Sequence, residues 1–127
     1  VKERDFLNWI VACAEATGWK VWHVPAPMVA NRKGGFVGSP RAAGLPDLFL
    51  LHDDPPRMVI AEVKGSGGKL SDKQQEFLRL AREVAEAPAM VFEPGRGYYN
   101  ELRVGVYAWL PEDQATIETI LKSKRLI

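Results

Sequence analysis

Two apolar runs separated by six turn-forming residues dominate what this chain can fold into. Asp47 to Leu51 and Met58 to Lys64 read as strands, and His52-Asp53-Asp54-Pro55-Pro56-Arg57 between them is a turn-rich connection. Strands joined this closely pair as an antiparallel hairpin, and a hairpin needs further strands and a cover for its apolar face. Glu62 interrupts the second run, where a charge is costly unless it is partnered. Side chains two apart on a strand share a face, so Glu62 and Lys64 point the same way while Val63 points into packing. Hairpin pairing can bring Asp47, fifteen residues earlier, beside Glu62. Two carboxylates held together repel unless a cation neutralises them. A divalent ion with oxygen ligands, Mg²⁺ or Mn²⁺, meets that need. Such an ion can activate water and stabilise charge on a phosphoryl oxygen, with Lys64 beside it to orient water or phosphate. The blander reading, an exposed strand decorated by Glu62 and Lys64, suits a lone E-x-K. It suits less well an E-x-K with Gly44-Leu45-Pro46-Asp47 one strand earlier and a Gly-Lys helix entry after it.

The flanking segments supply the cover. Phe6, Leu7, Ile10, Cys13, Ala14 and Thr17 recur at three- and four-residue spacing and predict a helix over 2–17, ended by Gly18. Lys20 to Val24 alternates as a short strand. Residues 25–46 carry eight Gly and Pro, contain no acid among 22 residues, and read as one long loop. Ser71 with Gln74 forms a capping box for a helix running to about Ala85, with Phe77, Leu78, Ala81 and Val84 as its apolar face. Ala89 to Phe92 and Val104 to Leu110 are further strands, 93–103 a loop, and Pro111 opens a last helix through Ile117, Ile120 and Leu121. The order αβββαββα predicts an α/β sandwich with a mixed sheet.

At 127 residues the chain is expected to form a single domain with one core. Seventeen basic against sixteen acidic residues exclude a histone-like polycation, although local clusters still permit nucleic-acid binding. One cysteine, Cys13, excludes an internal disulfide and a zinc ribbon. The longest apolar run, Val104 to Leu110, is far short of the roughly 20 residues of a membrane span. A cytoplasmic protein without a membrane partner is the expectation.

Several signals point to nucleic acid. Arg32, Lys33 and Arg41 are unopposed by acids in the long loop, which makes it the expected DNA-engaging element. Gly65 to Lys69 lacks the Gly and Ser/Thr positions of a Walker loop, and reads as a backbone approach to phosphate at a helix entry, with Lys69 beside it. His23 is either a strand histidine or a phosphate contact. Two histidines without an H-N-H grouping do not support a ββα-metal nuclease. Tyr and Trp residues could stack on bases but more often serve a core or a dimer contact. The basic run Lys122 to Arg125 is by default a solvated, frayed end, with phosphate contact as the lesser reading.

Asp47, Glu62-Val63-Lys64 and then Gly67-Gly68-Lys69-Leu70-Ser71-Asp72-Lys73-Gln74 resemble the PD-(D/E)XK nuclease superfamily, and within it the VRR-NUC (virus-type replication-repair nuclease) branch. The resemblance spans about residues 3–92, leaving 104–121 as a C-terminal strand and helix. It implies a restriction-endonuclease-like αβββαβ core and a metal-dependent DNA endonuclease, with Mg²⁺ replaceable by Mn²⁺. Small stand-alone members are similar to Holliday-junction resolvases and act as homodimers on branched DNA, in a phage or bacterial host cytoplasm. Nicking or flap cleavage, or a DNA-binding module without turnover, are the alternatives. The resemblance implies that Asp47, Glu62 and the Val63 carbonyl hold the metal and that Lys64 is catalytic. By the same resemblance Glu3 completes the acidic cluster and Gln74 contributes to the site. An acid in a first helical turn also simply favours the helix dipole, which is the other reading of Glu3.

Overall fold

The computed structural model describes residues 1–24, 28–30, 33–34, 36–38, 43–87 and 90–126, with backbone alone at 28–30, 36–38, 91, 99 and 100. The first helix, α1 (Glu3–Ala16), buries Phe6, Ile10 and Ala14 along one stripe. It ends in a Schellman motif: Gly18, at φ +92°, lets its own N–H reach Glu15 and the Trp19 N–H return to Ala14. Strands β1 (Lys20–His23), β2 (Met28–Ala30), β3 (Phe36–Gly38), β4 (Leu48–Asp53) and β5 (Pro56–Val63) follow, then α2 (Asp72–Glu86). Strands β6 (Met90–Glu93), β7 (Gly97–Asn100) and β8 (Val104–Trp109) lead through a 3₁₀ turn at Pro111–Asp113 to α3 (Gln114–Lys122).

Four strands form the central sheet in the order β1-β4-β5-β8, antiparallel except for the β5–β8 pair, which is parallel. The fold is therefore α/β with a mixed sheet, as expected. A parallel neighbour needs a crossover, and α2 with the β6–β7 hairpin supplies it. Leu48, Leu50, Val59, Ala61, Val63 and Trp109 share one sheet face and pack with Phe6 and Ile10 of α1 and Ile117, Ile120 and Leu121 of α3. Each wholly buried Val, Leu, Ile or Phe among them contributes about 1.5–3 kcal/mol. On the other face α2 lies towards the β8 edge, where Arg82 Nε donates to the Val106 carbonyl at 3.1 Å.

Three expectations change. The stretch 25–46 is not one loop: β2 and β3 pair within it as a small antiparallel sheet. The strand expected near 89–92 stays outside the main sheet, pairing instead with β7 in the segment expected to be loop. The sheet's fourth strand is thus β8, paired with β5 along its length from Met58 to Val63. Val84, expected in the core, is 78% exposed, because α2 covers only part of its sheet face. Among the described residues no helix is long and apolar enough to cross a membrane.

Candidate active site

The site lies where β4 begins and β5 ends. Leu48 pairs with Ala61, so the antiparallel register sets Asp47 opposite Glu62. The Val63 N–H donates to Asp47 Oδ2 at 2.8 Å, and the Val24 N–H donates to the Asp47 carbonyl at 2.8 Å. Asp47 is thereby held by strands on both sides. Gly44 brings it there. At φ +88° the residue favours glycine, and a Cβ would run into the Lys73 carbonyl at the start of α2. The approach to Asp47 is seated against the helix that carries Gln74, and Pro46 behind it is fully buried.

Glu62 is 3% exposed. Its Oε1 accepts from Gln74 Nε2 at 2.9 Å, and Lys64 Nζ lies 3.7 Å from the same oxygen. Oε2 is buried with no donor among the described residues. Burial first, then the Asp47 carboxylate and a hydrogen bond shared with it, push the Glu62 carboxyl up to about 8; Lys64 opposes the rise and Glu3 adds to it. Two ionised carboxylates offer acceptors only, so that shared hydrogen bond exists only while one of them holds a proton.

Gln74 does two jobs. Its Oε1 accepts the Ser71 N–H at 2.9 Å while Ser71 Oγ accepts the Gln74 N–H at 3.2 Å, which completes the capping box. Its amide nitrogen remains to clamp Glu62. The helix cap and the carboxylate's orientation are one structure. Lys64 is held at the strand end by its N–H to the Trp109 carbonyl at 3.0 Å, so β8 positions the site as well.

The remaining sequence-predicted residues fall at varying distances from this centre. Glu3, exposed in the first turn of α1, acts on Glu62 through its charge, without a hydrogen bond to it. Its helix start is seated on Gly65, where a Cβ would stand 2.8 Å from the Glu3 nitrogen. Among the described residues no group of three or more His, Cys, Asp or Glu side chains converges, so Glu3 does not complete an acidic cluster with Asp47 and Glu62. His23 pairs with Leu48, and register sends its side chain to the sheet face opposite Asp47 and Glu62. Lys69 is exposed between β5 and α2, and Lys33 is exposed in the turn between β2 and β3. Arg32 and Arg41 lie outside the described residues. Sequence reasoning missed two contributors, Gly44 as a point of close approach and Trp109 as the anchor of Lys64. Of these, only Gly44 left a signal, as the glycine of G-x-P-D.

A hairpin and a parallel strand gather Asp47, Glu62 and Lys64 at one sheet end. Residues 37–92, which include Asp47, Glu62, Lys64 and Gln74, match the family model described as the VRR-NUC domain. Comparison with curated proteins and with solved structures gives no match.

Proposed function

We propose that this chain is a metal-dependent endonuclease that hydrolyses phosphodiester bonds in DNA. The observation that carries the reading is the buried Oε2 of Glu62, left without a donor beside the Asp47 carboxylate. A pair of facing carboxylates with an unsatisfied buried oxygen fits a hard divalent cation. Asp47, Glu62 and the Val63 carbonyl would hold Mg²⁺, with Mn²⁺ able to replace it. When bound, the ion supplies an activated water and charge compensation at the phosphoryl oxygen.

The chain's own groups do the rest. Gln74 occupies Oε1 and leaves Oε2 without a donor. Lys64, on the same strand face as Glu62, offers a positive charge to the scissile phosphate or its attacking water. Glu3 lends further negative potential at the rim. Branched DNA, four-way junctions foremost, is the substrate we propose, cut by a homodimer, as in the small family members this chain resembles. Nicked and flapped DNA are the competing substrates.

The test is cleavage of labelled junction, flap, nicked and linear DNA with Mg²⁺, Mn²⁺ or EDTA. Cleavage should need the metal and should vanish in Asp47→Ala and in Glu62→Ala, with DNA binding retained. Cleavage that survives EDTA, or activity in both variants, would overturn the proposal.

A further inference from the structure

β5 also has a buried charge near its start. Arg57 is 8% exposed; its Nη1 donates to the Pro55 carbonyl at 2.7 Å and its Nη2 to the Ser123 carbonyl at 3.0 Å. The guanidinium lies 4.6 Å over the Trp19 ring, and Nε has no partner among the described residues. The bond to Ser123 pins the segment after α3, and Leu126 packs against the core. The basic run expected to fray is therefore held in place.

Held there, Lys124 and Arg125 join Arg57, Arg96 and Arg103 around a cavity of about 220 Å³. Glu101 is the one carboxylate in its wall, against five cations, in a chain whose formal net charge is only +1. Arg103 takes up Glu101 at 2.9 Å and Arg96 reaches Glu93 at 3.7 Å, whereas the side chains of Lys124 and Arg125 have no acidic partner among the described residues. Cations crowded around a solvent-filled hollow repel one another until an anion enters. Forked guanidiniums beside an ammonium suit phosphate oxygens in particular.

We propose that this cavity is a phosphate-binding site, separate from the candidate active site, which grips a backbone phosphate of bound DNA. The polymer's identity rests on the nuclease reading; the phosphate chemistry does not. Arg57 and Glu62 are five strand residues apart, roughly 17 Å at about 3.3 Å per residue. No single phosphate touches both sites, so this one engages the backbone away from the scissile bond and sets the register of the nucleic acid.

The test uses the exposed pair, Lys124→Gln with Arg125→Gln, after a thermal melt confirms folding. Binding of a labelled duplex in EDTA, across KCl concentrations, should weaken about tenfold, and the log–log salt slope should become shallower by about one to two units. In a parallel arm, inorganic phosphate is titrated against ¹⁵N-labelled protein. The readout is the Trp19 indole N–H, which donates to the Leu121 carbonyl beneath Arg57. A shallower slope assigns the site to DNA. An unchanged slope with a saturable Trp19 shift, lost in the double variant, upholds a phosphate site but makes free phosphate its ligand. An unchanged slope with no Trp19 shift overturns the proposal. If the double variant does not fold, Lys124→Gln alone carries the same test with about half the slope change. Failure of the nuclease reading would show separately, in the cleavage assay.

Discussion

The two ends of β5 solve opposite problems. Arg57 near its start and Glu62 near its finish are the buried charged residues among those described, and each leaves one polar atom unsatisfied. Around Arg57 the compensation is built in, through two carbonyl acceptors and an aromatic face. Burial pulls its proton affinity down, with Asp54 opposing, yet a guanidinium stays charged at any physiological pH. Around Glu62 the surroundings make the charge worse, because the nearest carboxylate repels it. The first arrangement stabilises the fold. The second leaves a demand that only a proton or a cation can meet, which is what a metal-holding site requires.

The contrast breaks most visibly at Lys64. Lys64→Arg replaces a compact charge with a planar fork and should cut turnover by roughly a hundredfold or more at unchanged DNA affinity. Near-normal turnover would return Lys64 to a purely structural role. At the other end of the strand, Arg57→Met leaves the Pro55 and Ser123 carbonyls without their donor. It should cost about 2–3 kcal/mol in urea denaturation while turnover at saturating DNA stays normal. Gly44→Ala forces a side chain into the Lys73 backbone at a φ that disfavours it. We expect a loss of about 1–2 kcal/mol and, as α2 and Gln74 shift, a fall in kcat larger than any rise in KM.

The smallest effect is one of pH. In metal-free protein Glu62 keeps its proton to about pH 8, whereas the unfolded chain releases it near its ordinary value of 4.5. Between those values the native state binds more protons, so stability falls as pH rises. Glu62→Gln should flatten that decline: its melting temperature should match wild type below about pH 4.5 and exceed it by a few degrees above about pH 8. Parallel melting curves for the two proteins across that range would show instead that Glu62 is already neutralised.

What could be read from the chain beforehand is what is local. Glu62 and Lys64 share a strand face by alternation, and Ser71 and Gln74 sit three apart in a capping box, so both were legible. The second job of Gln74 was reachable only through family resemblance, because it spans twelve residues to Glu62. Strands β2, β3 and β7 are three or four residues long, among Gly and Pro, and too short to show a period. Val84 has correct helical spacing for a core position, but spacing says nothing about how far a helix overhangs its sheet. The cavity at Arg57 gathers residues from four separate stretches of chain, and no local pattern announces such a cluster.

The claim that β5 ends in a cation-holding site is tested most directly by calorimetric titration of Mn²⁺ into protein stripped with EDTA. We predict saturable binding to wild type that is lost in Asp47→Asn and in Glu62→Gln, both still folded, and retained in the Lys124→Gln, Arg125→Gln pair. Equal Mn²⁺ affinity in wild type and both carboxylate variants would contradict it.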